Sequence, residues 1–227
     1  MSLSTPRDAA SPTPATTSSK PPLISELSIY SVVLGDQLMK PNYPSLHRED
    51  LLGGQKTIGV ARLYVCPRCF KYTIEVVDHI AHWDYCKENL EIPGLMIYES
   101  ADQSIYEFDG TNEWLFAQNL CLFAKLFIET KSVCYDVSTF LYYLLVKAGK
   151  HGPEIVGFFS KEKLSWDNNN LACIVVFPPW LKQGLGQVLM AASYALSQRD
   201  GRLGGPERRK SRFDNVASLK QLTTNSL

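Results

Sequence analysis

Four residues at finger spacing constrain this chain more than any other feature. The segment CPRCFKYTIEVVDHIAHWDYC runs from Cys66 to Cys86 and reads C-x2-C, twelve residues, then H-x3-C. Cys66, Cys69, His82 and Cys86 offer three thiolates and an imidazole, a donor set that suits tetrahedral zinc. The local sequence suits it too. RLYVC (62–66) alternates as a strand, Pro67-Arg68 turns, Phe70 to Thr73 returns as a second strand, and Thr73 to Trp83 predicts a helix. His82 and Cys86 are four apart, so one helical turn puts them on one face. The competing readings are a redox CxxC, for which no thioredoxin-like unit surrounds the pair, and ordinary core. His79 is the competing ligand, and it leaves a longer final loop. A zinc held by four protein ligands is structural, because no coordination position stays open.

The rest of the chain must be ordinary globular protein around that lobe. Its 227 residues suit one domain of moderate size with a small appendage. The formal net charge is zero, which gives no overall bias towards nucleic acid or a membrane surface, and no apolar run is long enough to span a bilayer. Six cysteines without a secretory pattern point to a reducing compartment. Residues 1–22 are rich in Ser, Thr, Pro and Ala and read as a disordered lead-in. The finger is not a base-reading one: its helix carries Glu75 and Asp78 rather than a basic face, so no sequence-specific nucleic-acid binding is expected.

The order of elements is mixed. SIYEFD (104–109) alternates as a strand, and the apolar run Glu113 to Glu129 predicts a buried helix. Val137 to Ala148 predicts a second helix stopped by Gly149. IVGFFS (155–160) reads as a strand and DNNN (167–170) as a turn. LACIVVF (171–177) is nearly continuous in apolar residues and reads as a central strand. A helix over Val188 to Ser197 follows KQGLGQ and stops near Gly201. The junction strand–Gly184-x-Gly186–helix is the second chemical signal. Glycines admit an anion to the backbone N–H groups, and a helix N-terminus favours negative charge, so a phosphate or pyrophosphate is the ligand class. A plain tight turn explains the same letters.

Taken in order, YVCPRCFKY with its His and Cys, QNLCLFAKLF, KSVCYDV, GFFSKEK, LACIVVFPPWLKQGLG and GPE resemble the MYST family of histone acetyltransferases. NNLACIVVFPP and GGPE resemble its fungal, silencing-associated branch, and the resemblance covers about Tyr30 to Ser211. It implies an α+β fold: a GNAT-like core, a mixed central sheet with flanking helices, and an N-terminal zinc-finger lobe. The layout is then a disordered 1–22, a region 23–100 with the finger at 62–87, an acetyl-CoA-binding core at 101–211 and an irregular tail at 212–227. The implied substrates are acetyl-CoA and lysines of histone tails in nucleosomes, in the nucleus and alongside the subunits of an acetyltransferase complex. By matching position, the resemblance implies Cys66, Cys69, His82 and Cys86 as the zinc ligands. It likewise implies Ile174, Val175 and Val176 as contacts of the acyl carrier and Lys182, Gln183, Gly184, Leu185, Gly186 and Gln187 as the pyrophosphate loop. By the same matching, Ser211 is implied as a further carrier contact, Cys173 as the active-site cysteine, Glu207 as the general base and Lys131 as the self-acetylated lysine.

The chemistry needs a base. A lysine amine has a pKa near 10.4, so freeing its nucleophilic form at pH 7 costs about 4–5 kcal/mol. Glu207 is the candidate, although Arg208 and Arg209 tend to lower its pKa. Cys173 either relays the acetyl group as a thioester or lines the pocket; its apolar neighbours quiet a thiol, and direct attack is the expected route. Cys121 and Cys134 are assigned to packing. Two departures from the family pattern stand out. Gln183 and Gln187 occupy places where the family prefers Lys or Arg. Arg209 and Lys210 replace the Pro-Leu that usually follows the base, and the polar tail after Ser211 reads as a C-terminally truncated member without its closing lobe. The alternative function is therefore a catalytically impaired protein that acts as a binding or scaffold module.

Overall fold

The computed structural model describes residues 29–43, 60–89, 91–100, 102–129, 131, 136–150, 152–166, 169–201 and 205. The terminal segments 1–22 and 212–227, and with them Glu207, Ser211 and Cys134, lie outside the described residues.

Two sheets organise the chain. The smaller has the order β2-β1-β3-β4, from β1 (Val32–Leu34), β2 (Gln37–Met39), β3 (Leu63–Val65) and β4 (Tyr72–Thr73). Strands β1 and β3 run parallel and the other neighbours antiparallel. Helix α1 (Val76–Asn89) follows β4. It starts later and runs further than the predicted 73–83, because Thr73 Oγ accepts the Glu75 N–H at 3.1 Å and holds the chain in a turn before the helix begins.

The larger sheet has the order β5-β6-β7-β8-β9: β5 (Leu95–Glu99), β6 (Gln103–Asp109), β7 (Phe140–Gly149), β8 (Gly152–Glu162) and β9 (Cys173–Val176). All its described neighbours are antiparallel. Helix α2 (Trp114–Lys125) follows β6, and α3 (Leu185–Arg199) follows β9 after a 3-10 turn at Pro178–Trp180. Helix α2 buries Phe116, Ala117, Leu120, Cys121, Phe123 and Ala124, as an apolar helix should, but it ends at Lys125 rather than at 129.

The helix expected over 137–148 is instead β7, the middle strand of the sheet. Tyr142, Leu144 and Val146 enter one apolar cluster, whereas Tyr143 and Leu145 enter the other. The two-residue period is real, but both faces are covered, so every position from 140 to 146 is apolar and the alternation disappears from the letters. Pairing decides the matter. Tyr142 lies opposite Phe108 on β6 and Ser160 on β8, and Tyr142 stacks on Phe108 at 4.9 Å while Tyr143 stacks on Phe159 at 4.4 Å. Gly149 pairs with Gly152 and closes a hairpin instead of stopping a helix. Strand β9, expected to be central, ends the row among the described strands. It is apolar for the same reason as β7: its alternate side chains meet a cluster on each face.

One aromatic group joins the two sheets. Phe70 is fully buried and contacts Phe116 and Phe123 on α2 and Phe177 after β9, with ring centroids 5.3–5.8 Å apart. It keeps that place at φ +57°, a left-handed conformation costing roughly 1–2 kcal/mol for a non-glycine residue, so its packing must outweigh the strain. Phe70→Ala is expected to lower unfolding stability by about 3–5 kcal/mol, read from urea denaturation.

Candidate metal centre and anion-binding turn

The knuckle is built by backbone bonds before any metal arrives. Phe70 N–H donates to the Cys66 carbonyl at 3.0 Å, and Cys66 N–H donates to the Lys71 carbonyl at 2.9 Å. This tight loop points Cys66 and Cys69 to one side. Helix α1 supplies the other two donors from one face, one turn apart. The donor atoms of Cys66, Cys69, His82 and Cys86 all lie within 4.8 Å of one another. Cys69 Sγ is 3.1 Å from His82 Nε2, and Cys66 Sγ is 3.5 Å from Cys86 Sγ. Bond lengths of about 2.3 Å to sulfur and 2.0–2.1 Å to nitrogen at tetrahedral angles put zinc donors roughly 3.5–3.8 Å apart. The four residues fit the ion.

Their acid–base chemistry also asks for a cation. A hydrogen bond from Cys69 draws the Cys66 thiol down to about 5, and the same bond together with burial pushes Cys69 up. Burial, reinforced by the charge on Cys66, pushes Cys86 up to about 12. The cluster alone therefore tolerates one thiolate. A dication lets all three ionise, with release of protons. His79 is not in the cluster. Its ring sits 5.5 Å from Tyr64, and burial lowers its pKa, as expected of a neutral packed imidazole. Of the two histidines weighed in the sequence, the structure brings His82 to the cysteines.

Asn119 on α2 reaches back to the knuckle, its Nδ2 3.5 Å from the Cys69 carbonyl. Together with the Phe70 contacts, this ties the metal lobe to the end of β9. From there the chain enters the glycine turn. Lys182 (φ +63°) and Gly184 (φ +79°) are left-handed, and Gly184 caps α3. The amides of Gly184, Leu185 and Gly186 donate to no backbone carbonyl among the described residues, whereas those of Gln187 and Val188 turn back to the Gly184 carbonyl. A Cβ added at Gly184 or Gly186 would meet nothing within 4 Å, so the turn faces open space. Lys182, Gln183 and Gln187 are exposed around it. Donor amides at a helix N-terminus with a lysine beside them suit an anion.

Strand β9 carries the remaining candidates on two faces. Cys173 and Val175 pack towards the α2 cluster, and Ile174 and Val176 towards the α3 cluster. Cys173 is half-buried among apolar groups. Lys131 is half-buried, its N–H 3.5 Å from the Ile128 carbonyl. Cys121 is buried, its sulfur 3.5 Å from the Tyr142 hydroxyl, in keeping with packing.

Two features had no clear signal in the sequence. One is a cleft of about 200 Å³ between the lobes, lined by Asp36, Arg68, Trp83, Glu154 and Trp180 among others. Its walls come from distant segments, so no local pattern announces it. The other is a polar corner below α3, where buried Lys161 donates to Asp200 at 2.7 Å and Asn170 is buried beside the start of β9. The only trace of Asn170 was an asparagine set directly against an apolar run.

A model of the MOZ/SAS family matches residues 91–223. The chain is 45% identical over 151 residues to a protein named histone acetyltransferase MOF from Drosophila melanogaster, covering 66% of this chain and 18% of that one. It is 40% identical over 158 residues to histone acetyltransferase SAS2 of Saccharomyces cerevisiae, covering 70% of this chain and 46% of that one. It is 41% identical over 147 residues to histone acetyltransferase of the MYST family 1 of Arabidopsis thaliana, covering 65% and 33% respectively. The chain thus spans less than half the length of each of these relatives.

Proposed function

This chain belongs to the MOZ/SAS family of MYST-type acetyltransferases, and from that premise we propose that it transfers an acetyl group from acetyl-CoA to lysines of histone tails. The observation carrying the proposal is the turn at 182–187, where helix-start amides that donate to no backbone carbonyl among the described residues, two glycines with no atom near an added Cβ, and Lys182 stand together after β9 and suit an anion. The pyrophosphate of the acyl carrier is the anion assigned to it, with Ile174, Val175 and Val176 as the strand contacts. Ser211 is a further contact.

In the reaction, the neutral lysine amine attacks the thioester carbonyl. Glu207 takes the amine proton, the C–N bond forms, and the CoA thiolate leaves. Cys173 lines the site without carrying the acetyl group, in line with its apolar setting. The metal lobe takes no chemical part. It stiffens the frame through Phe70, which touches both α2 and Phe177. Lys131 is assigned as the residue acetylated by the enzyme on itself. We place the carrier-binding core at 101–211 and the finger at 62–87, and infer work in the nucleus beside other subunits of a chromatin-regulating complex.

Acetyl-CoA tests this directly. The zinc-loaded chain is expected to melt at a higher temperature with acetyl-CoA and to acetylate histone-tail peptides. If acetyl-CoA neither shifts melting nor shows heat in calorimetry, the transferase reading falls and the binding-module alternative takes its place. Lys182→Ala is expected to weaken acetyl-CoA about 10-fold in the same titration, the size of one charge-assisted contact.

A further inference from the structure

Strand β5 ends the larger sheet on the side away from β9, and among the described strands it pairs with β6 alone. Its outer backbone edge is therefore open among the described residues. The side chains beside that edge are large and apolar: Leu95 is 72% exposed, Met96 43% and Tyr98 47%. Ile97 is half-buried and packs against the α3 cluster. Edge strands are usually blunted by Lys, Pro or an inward charge, and Leu95 to Tyr98 contain none of these. A bulge does shift the register between Met96 and Tyr98, so a guest strand pairs over only a few residues and charge must carry much of its affinity.

The charge around β5 has one sign. Residues 88–124 hold seven acidic side chains and no Lys or Arg. Asp102 and Asp109 are paired with Lys147 and Lys163. Glu91 and Glu99, exposed on either side of the strand, enter no ion pair among the described residues. An open edge, apolar side chains and flanking carboxylates match an extended basic segment: main-chain bonds add a strand, and Lys or Arg meets the carboxylates. A second copy of the chain matches less well, because it brings its own Glu91 and Glu99.

Distance selects the basic segment. Leu95 lies opposite Glu107 on β6. The next residue, Phe108, lies opposite Tyr142 on β7, Tyr142 opposite Ser160 on β8, and Ser160 opposite Cys173 on β9. Leu95 and Cys173 thus stand near one row of the sheet, four strand spacings of roughly 4.8 Å apart, or about 19 Å. An extended chain covers that in about six residues at ~3.3 Å each. We propose that β5 is a docking edge for the histone tail: a basic stretch of the tail, about six or more residues from the lysine being acetylated, adds to β5 as a further strand. Leu95, Met96 and Tyr98 are covered, and Glu91 and Glu99 supply the counter-charge. The proposal rests on the acetyltransferase reading for the identity of the guest.

The test uses the full zinc-loaded chain, a basic histone-tail peptide of about 25 residues, and the same peptide cut to about five residues on each side of its target lysine. Calorimetry without acetyl-CoA is expected to show the long peptide binding more tightly at low salt, and hydrogen exchange to show slower amides at 95–99 when it is bound. In Met96→Lys/Glu99→Lys, which changes only exposed positions, its Kd and KM are expected to rise about 10-fold. The short peptide's KM, the KM for acetyl-CoA and kcat should stay within about two-fold. Parental binding of the long peptide in the folded variant, or unchanged exchange at 95–99, overturns the proposal. So does protection of 95–99 that grows with protein concentration in the absence of peptide, which would make a second copy the occupant. A parent that binds the long peptide at β5 without binding acetyl-CoA defeats the transferase reading and leaves the edge standing as a basic-peptide site.

Discussion

Cys86→Ser removes the knuckle-and-helix lobe from the cooperative fold. Structural zinc contributes on the order of 10 kcal/mol to folding, comparable with the whole stability of an ordinary domain, and three remaining ligands hold it far more weakly. The parent is expected to carry one zinc per chain by elemental analysis, and the variant to lose it on dialysis against a mild chelator. Amides of residues 60–89 should then exchange freely. The loss should spread, because Phe70 and Asn119 join the knuckle to α2 and to the end of β9. Acetyl-CoA affinity should fall with the zinc even though no ligand touches the turn at 182–187. The pH dependence has a definite sign. Cys86 sits near 12 without metal and Cys69 also lies high, so zinc must displace their protons at neutral pH. Affinity is therefore lost as pH falls and gained as it rises. A folded, chelator-treated Cys86→Ser protein with parental acetyl-CoA binding would remove the metal from this account.

Glu207→Gln should be the most damaging single change to turnover. General-base catalysis contributes roughly 10²–10⁴-fold, and glutamine cannot take a proton. The variant should keep parental affinity for acetyl-CoA, lose that factor in kcat, and recover part of it at high pH, where more of the substrate amine is already neutral. Cys173→Ala separates the two routes. Direct attack leaves at least a tenth of the parental rate in that variant. Abolished turnover in folded Cys173→Ala, together with a trapped acetyl-thioester in the parent, would establish the relay instead.

The cysteine–histidine cluster was legible because its chemistry is local. Cys66 and Cys69 share one turn of chain, and His82 and Cys86 share one turn of helix, so spacing alone sets two pairs of donors. Choosing His82 over His79 needed only loop length, and in the structure His82 stands with the three cysteines. The glycine turn was legible as a shape, a bend opening a helix, and the structure adds that Lys182 and Gly184 are left-handed there. The middle of the sheet was less so. Val137 to Ala148 was read as a helix because the apolar run at 140–146 shows no period, and only its registers with β6 and β8 reveal a strand.

By itself, the sequence determined what short-range covalent spacing can determine: which four metal-ligating side chains can gather in one cluster, where a glycine bend precedes a helix, and to which family the motifs belong. Only the tertiary structure decided which apolar run is a strand covered on both faces, that β9 ends the described row, that Cys173 and Ile174 look towards opposite clusters, and that Asn170 holds Gly205. These are pairings between residues far apart in the chain. Their free energy comes from burial and hydrogen bonds that exist only once both partners are in place, and no window of neighbouring letters contains it.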